Sequence, residues 1–283
     1  MRKLLCFILA LTFSAPIFTL RKQITLPPSA DVPPSTTLPD ADEDDNVSLP
    51  PVLDEPTTPP QPPEEIKPII KTDEYVVCTG SSVNLRSSPS ASTSSNLVGV
   101  AAKNTKYSLV EKTGNWYAVY YKNKLAYLHA DYAKTFSLEK SPEEKIEQVI
   151  SVGYKLIGTK YVYGATRLHN GKGTLLKGFS VTAFDCSSLI QYMFYHGAGK
   201  LLDVTTRTQV VQGKFVARAN LKRGDCIYFT NESRQHLTGI NRVGHVAVYL
   251  GDNYILHTAS DYARIEKITA SRWKHYIESR RFT

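Results

Sequence analysis

Residues 23–66 decide how much of this 283-residue chain is free to fold. That interval holds twelve of the sixteen prolines, ten acids and no lysine or arginine, with "DADEDD" at 40–45. A segment so rich in proline and so self-repelling cannot bury enough surface to offset its ordering entropy. It reads as an extended, disordered acidic linker, bounded at 21–70. The rest of the chain is of opposite character. Residues 67–283 carry 30 basic and 16 acidic side chains, an excess of +14 that the whole-chain charge of +8 conceals.

Ahead of the linker, Arg2 and Lys3 precede an apolar run from Leu4 to Phe13 and then small residues, the pattern of a secretory signal. Pro16 follows Ala15 and hinders cleavage there, and the mostly apolar stretch continues to Leu20. Residues 1–20 are therefore read as a signal peptide or an N-terminal membrane anchor, the latter near the short limit for a span. Either way the protein is expected to be secreted or associated with the cell envelope. A basic exported protein suits an anionic extracellular polymer or surface, such as anionic wall polymers, as partner, with a simply solvated basic face as the alternative, and disfavours nucleic acid.

Four cysteines occur, Cys6 in the leader and Cys78, Cys186 and Cys226 beyond it. An odd number in the exported part argues against a disulfide framework and leaves a free thiol to explain. Cys78 in "EYVVCTG" and Cys226 in "GDCIYFT" sit in apparent strands and read as buried hydrophobes.

Six short alternating segments come after the linker: 75–78, 83–86, 97–101, 107–112, 116–121 and 124–129. Turn-forming clusters such as "SSPSAST" and "TGN" separate them. The pattern predicts a small all-β barrel over 71–137. Over 138–283 the reading changes. Ser141 as N-cap, Pro142 at the first helical position and the acids Glu143 and Glu144 predict a helix from Pro142 to about Ile157. Its apolar face is Ile146, Val149, Ile150, Val152 and Leu156. Strands are expected at 226–229, 245–250 and 254–257, the last two joined through Gly251, Asp252 and Asn253. Helices followed by an antiparallel sheet make an α+β domain.

Between these elements lies "AFDCSSLIQYMF" at 183–194. Apolar residues at 189, 190, 193 and 194 have helical spacing, and Asp185, Ser187 and Ser188 are N-capping types. Cys186 then falls in the first turn, where free N–H groups and the helix dipole favour a thiolate and a lowered thiol pKa. A nucleophile needs a base and a group to orient that base. His245 and His257 lie near the same end of one hairpin and can point at one face. Spacing alone leaves this reading level with a buried structural cysteine and structural histidines. His196, His236 and His275 carry no motif and are read as surface residues.

Two resemblances sharpen the picture. "VNLRSSPS" and "GNWYAVYYKNKLAYLHADY" resemble bacterial Src-homology-3 domains of cell-wall proteins, through Asn84, Leu85, Arg86, Ser87, Pro89, Gly114, Trp116 and Val119. This implies an SH3-like wall-binding module, with Trp116 read as core. "YVYG" at 161–164, "FDCSSL" at 184–189, "RTQVVQ" at 207–212, "GDCIYF" at 224–229, "HVAVYLG" at 245–251 and "ILH" at 255–257 resemble the NlpC family of cell-wall cysteine peptidases. The family implies a papain-like cysteine peptidase fold with Cys186 as nucleophile, His245 as general base and acid, and His257 as the orienting residue. It further implies Tyr161, Asp185 and Ser187 as substrate-binding residues, with Arg207 and Gln212 read as architectural. The implied substrate is the peptidoglycan stem peptide, cut between D-γ-glutamate and a diamino acid. A papain-like amidase or acyltransferase and an inactive wall-binding adaptor are the alternatives. No metal or other cofactor is implied, and no Cys/His cluster has ligand spacing. The chain departs from the family pattern in Tyr163-Gly164-Ala165, in Ser188 and in Gln209. A long insert at 165–183 is expected to lie over the cleft.

Overall fold

The computed structural model describes residues 70–165, 167–178 and 180–283. The leader and nearly all of the acidic linker lie outside the described residues. The first folded stretch alternates between inward apolar and outward polar side chains, and it forms seven strands. These are β1 (Thr72–Cys78), β2 (Ser82–Arg86), β3 (Leu97–Ala102), β4 (Lys106–Thr113), β5 (Trp116–Tyr121), β6 (Lys124–His129) and β7 (Ala133–Glu139). They make one antiparallel sheet in the order β3-β2-β6-β5-β4-β1-β7. Six of the seven match the expected segments. β7 was not expected, and it pairs with β1 along its whole length.

The second stretch begins with α1 (Glu144–Lys155), two residues later than expected. Glu143 is the N-cap, while Ser141 instead accepts the Glu143 N–H through Oγ and donates its own N–H to Glu147. Short strands β8 (Lys160–Tyr161) and β9 (Ala183–Phe184) lead into α2 (Cys186–Ala198). Then come α3 (Thr206–Gln209), β10 (Lys214–Val216), β11 (Cys226–Phe229), β12 (His245–Gly251), β13 (Tyr254–Ala259), β14 (Tyr262–Lys267), α4 (Ala270–Lys274) and β15 (Tyr276–Arg281). The sheet runs β10-β15-β11-β12-β13-β14-β8-β9, antiparallel except for the β8–β9 pair. β11, β12 and β13 stand where the sequence placed them. β10, β14 and β15 were not foreseen.

α2 fills the space between sheet and α1. Leu189, Ile190, Met193 and Phe194 are all fully buried, each worth about 1.5–3 kcal/mol over an exposed position. Gly197 lets α1 and α2 touch, since a Cβ there would stand 2.4 Å from the Val149 Cα. Cys78 and Cys226 are buried on β1 and β11, as expected. Among the described residues, no helix is long and apolar enough to cross a membrane.

The two sheets share one continuous apolar core. Phe136 of β7 stacks on Tyr254 of β13 with ring centroids 5.0 Å apart. Lys122 and Asn123, in the turn after β5, donate to the carbonyls of Ile157 and Lys155 at the end of α1. Gly158 lies under the Tyr121 ring, where a Cβ would come within 2.3 Å. Arg223 closes the junction from the other side. Its guanidinium pairs with Asp73 at 2.6 Å and Glu147 at 2.7 Å and donates to the Tyr75 and Tyr154 hydroxyls.

Candidate active site

The start of α2 is built by its own sequence. Asp185 caps the helix by accepting the Ser188 N–H at 2.8 Å, and the Ser188 hydroxyl accepts the Asp185 N–H at 2.9 Å. This reciprocal box fixes the direction of the first turn. Cys186 is thereby the first helical residue, 8% exposed at the floor of a cleft of about 790 Å³. The cleft is also lined by Tyr161, Phe229, Asn231, His245, Arg272 and His275. His275 was read as a surface residue; the structure places it in this wall.

Helix position did not set the thiol's acidity. The pKa is pushed up to about 12, chiefly by burial and secondly by the Asp185 carboxylate. The N–H groups of Val246 and Ser187, and Arg167, oppose these effects without overcoming them. The magnitudes explain the outcome. A helix terminus is worth about 0.3–1 kcal/mol, below one pKa unit, whereas full burial moves a group by about 3–5 units.

The two histidines share a face, as expected. β12 and β13 pair Val248 with Leu256 and Tyr249 with Ile255. Continuing that register puts Ala247 opposite His257, so His245 sits one diagonal step away. The turn is tight, with Asp252 and Asn253 both at positive φ and an irregularity at Gly251. His245 Nε2 and His257 Nδ1 are 2.8 Å apart, with the rings edge-on at 78°. Burial holds both imidazoles below their ordinary pKa range, and each also feels Arg264 and Arg272.

Behind His257 stands a residue the sequence reading missed. Glu266 on β14 places Oε1 3.2 Å from His257 Nε2, at an angle short of a well-formed hydrogen bond. It also pairs with Arg272 at 2.6 Å and Arg264 at 3.6 Å. Its pKa falls to about 2 because contacts with His257 and the two arginines outweigh burial, the largest single effect, which acts upward. An ionised carboxylate only accepts, so it favours the proton on His257 Nε2. His257 Nδ1 must then accept, His245 Nε2 must donate, and His245 Nδ1 keeps its lone pair. The chain of tautomers leaves a base at the histidine that shares the cleft with Cys186. The available signal was the alternation in "YARIEK", which puts Arg264 and Glu266 on the His257 face.

The other expected residues divide between the cleft wall and the scaffold behind it. Tyr161 is half-buried in the cleft wall, with its pKa raised by burial and by Cys186 and Asp185. Asp185 is engaged internally, by Arg167 at 2.9 and 2.5 Å, the Gly164 N–H and the Ser187 hydroxyl. Ser187 is buried and also donates to the Val204 carbonyl. Gln212 Oε1 accepts the Asp203 N–H, an architectural role, while Arg207 lines a recess beside Cys186. Gln209 is fully buried and ties the Ser187 and Asp203 carbonyls together. The insert is anchored by Arg167 and by buried His169, whose Nε2 lies 2.9 Å from the Leu202 carbonyl. Trp116, read as core, is half-exposed and meets His129 edge-on at 4.8 Å in a recess of the first sheet. No group of three or more His, Cys, Asp or Glu side chains suited to a metal ion occurs among the described residues.

Comparison with known proteins gives two domain matches. Residues 158–281 match the NlpC/P60 family, and residues 81–134 match the bacterial SH3 domain. A Gamma-DL-glutamyl hydrolase of Bacillus subtilis is 29% identical over 152 residues, covering 53% of this chain and 32% of that protein. The Murein DD-endopeptidase MepS/Murein LD-carboxypeptidase of Escherichia coli is 34% identical over 108 residues, covering 38% of this chain and 53% of that protein. The chain thus spans from a third to about half of these relatives. The crystal structure of an NlpC/P60 family protein from Bacillus cereus is 22% identical, covers 74% of this chain and 63% of that one, and has a TM-score of 0.39.

Proposed function

Since residues 158–281 form an NlpC/P60 domain and residues 81–134 a bacterial SH3 domain, we propose that the protein is an exported, papain-like peptidoglycan cysteine peptidase that cuts stem peptides. The bond assigned is that between D-γ-glutamate and the following diamino acid. The observation that carries this reading is the ordered series Glu266–His257–His245, which reaches the cleft that holds Cys186 through His245.

In this reading both Cys186 and His245 are neutral at rest, because burial opposes charge on each. Proton transfer therefore accompanies attack. His245 Nδ1 takes the thiol proton as the sulfur adds to the γ-carbonyl carbon, and the oxygen becomes an oxyanion. The Cys186 N–H, which has no intrahelical acceptor at the first helical position, is the donor assigned to it. The imidazolium then protonates the amine nitrogen as the C–N bond breaks, leaving a thioester. Water attacks the thioester, gives its proton to His245, and releases the carboxylate and the thiol. His257, held by Glu266, keeps His245 in the tautomer this cycle requires.

Tyr161 is assigned a direct substrate contact, and Asp185 and Ser187 shape the wall beside the nucleophile. The SH3 domain is assigned wall binding, and the basic surface suits anionic wall polymers. The test is digestion of purified peptidoglycan by the protein and by Cys186→Ala, with mass spectrometry of the released fragments. Fragments ending in D-glutamate, absent with the variant, are expected. Cleavage of another amide that depends on Cys186 would replace the bond assignment, and binding without release would point to an adaptor.

A further inference from the structure

A second recess of about 290 Å³ shares Cys186, Tyr161 and Asn231 with the main cleft. Its walls include Cys186, Asp185, Arg167, Arg207 and Arg234. Asp185 is the sole acid in that lining, and its acceptor positions are taken. Arg167 grips both of its oxygens, and the Gly164 and Ser188 N–H groups and the Ser187 hydroxyl take up the remaining acceptor positions. Arg207 and Arg234 differ. Both are half-buried, and among the described residues neither has an acid within ion-pair reach; Arg234 donates to the Asn241 carbonyl at 2.9 Å. The recess therefore keeps two uncompensated guanidinium charges next to the nucleophile. Partly desolvated guanidinium groups bind carboxylates in forked geometry and repel ammonium groups.

We infer that Arg207 and Arg234 form a carboxylate subsite, taking the free α-carboxylate of the γ-linked glutamyl residue whose side-chain carbonyl is attacked. This rests on the peptidase reading above and adds its selectivity. A γ-linkage leaves the α-carboxylate free, only a few bonds from the scissile carbon, so both can reach a recess and a cleft that share Cys186. In an ordinary peptide linkage that carboxylate is consumed in the chain. Arg167 has the complementary task. By neutralising Asp185 it removes the acceptor that a free amino terminus would need, so the recess suits stem peptides whose amino end is already acylated.

Three synthetic peptides test this: N-acetyl-L-alanyl-γ-D-glutamyl-L-lysine, its counterpart with the α-carboxylate converted to the carboxamide, and the carboxylate form without the acetyl group. Binding is read by calorimetry on the full chain carrying Cys186→Ala, with folding checked by circular dichroism. The carboxylate form is expected to bind at least about tenfold more tightly, with the margin shrinking as salt is raised. Arg207→Gln and, separately, Arg234→Gln in the more exposed loop should each reduce that margin toward unity. Arg167→Gln should instead improve binding of the peptide lacking the acetyl group. Equal binding of the two forms, no binding of the carboxylate form, or a margin that survives both substitutions would overturn the subsite. Turnover of the same peptides by the unaltered protein is read separately. Carboxylate-selective binding without cleavage would sink the peptidase reading and leave the subsite standing. Cleavage of both forms at one rate would sink the subsite alone.

Discussion

Replacing Glu266 with glutamine tests whether the residue behind the two histidines governs chemistry or only packing. The carboxylate drops from an ordinary 4.5 to about 2 in the fold, and each pH unit is worth about 1.4 kcal/mol, so its ionised form gains about 3 kcal/mol. Because folded Glu266 is the stronger acid, this stabilisation is complete above pH 4.5 and drains away as pH falls toward 2. Glu266→Gln should therefore lose up to about that much stability near neutrality, and its unfolding free energy should be flatter between those pH values. The same change acts on catalysis. A glutamine amide can accept from or donate to His257 Nε2, so the tautomer chain loses its bias, and kcat should fall about tenfold or more. Glu266 raises the pKa of both imidazoles. Its removal should therefore shift the acid limb of kcat/KM to lower pH while the plateau drops. The assay is the pH profile of stem-peptide cleavage, with nitrogen-15 chemical shifts of the two imidazoles reporting their tautomers. A stability loss with the plateau, the acid limb and the shifts all unchanged would refute the relay and leave Glu266 as a structural ion-pair partner.

The same geometry supports four further expectations. Asp185→Asn removes a negative charge that raises the Cys186 pKa, so iodoacetamide should alkylate Cys186 faster at pH 8 in the variant; equal rates would mean that the carboxylate has little hold on the thiol. In the unaltered protein that rate should keep rising with pH to at least pH 10, since the thiol titrates near 12; a plateau near neutrality would show a preformed thiolate. Gly197→Ala drives a methyl into the Val149 backbone, which cannot swing aside as a side chain could, and should cost about 1–3 kcal/mol in urea denaturation. Arg223→Ala strips Asp73 and Glu147 of a buried partner and should cost about 3–5 kcal/mol by calorimetry.

What could be read from the sequence was what local chemistry decides. The start of α2 was legible because Asp185 and Ser188 satisfy each other within four residues, and the turn at Asp252 and Asn253 because those residues tolerate positive φ. Strand pairing across long separations was less legible. β7 and β14 alternate as strands do, but their charged residues masked the pattern until β1 and β13 supplied partners. Glu266 was missed for the same reason, since nothing near it in the chain announces a histidine nine residues earlier on the neighbouring strand. The direction of the thiol pKa went the wrong way because a sequence shows a helix terminus but not how much water reaches it. Arg167 was hidden in the insert, and its bond to Asp185 spans eighteen residues.

The junction between the two sheets bears on how far either module can be transplanted. Arg223 lies just before β11 of the second sheet, but two of its hydroxyl and carboxylate partners, Tyr75 and Asp73, belong to β1 of the first sheet. Gly158 needs the flat ring of Tyr121 above it, and the end of α1 needs the two N–H groups of Lys122 and Asn123. Separating the chain between β7 and α1 would take Tyr75 and Asp73 away from Tyr154 and leave a half-satisfied guanidinium at the new surface. A foreign barrel grafted in its place would have to bring a carboxylate, a phenol and a bare turn at matching points. The pair is heritable as a unit, and a fusion joined at β7 inherits a wound where a linker was intended.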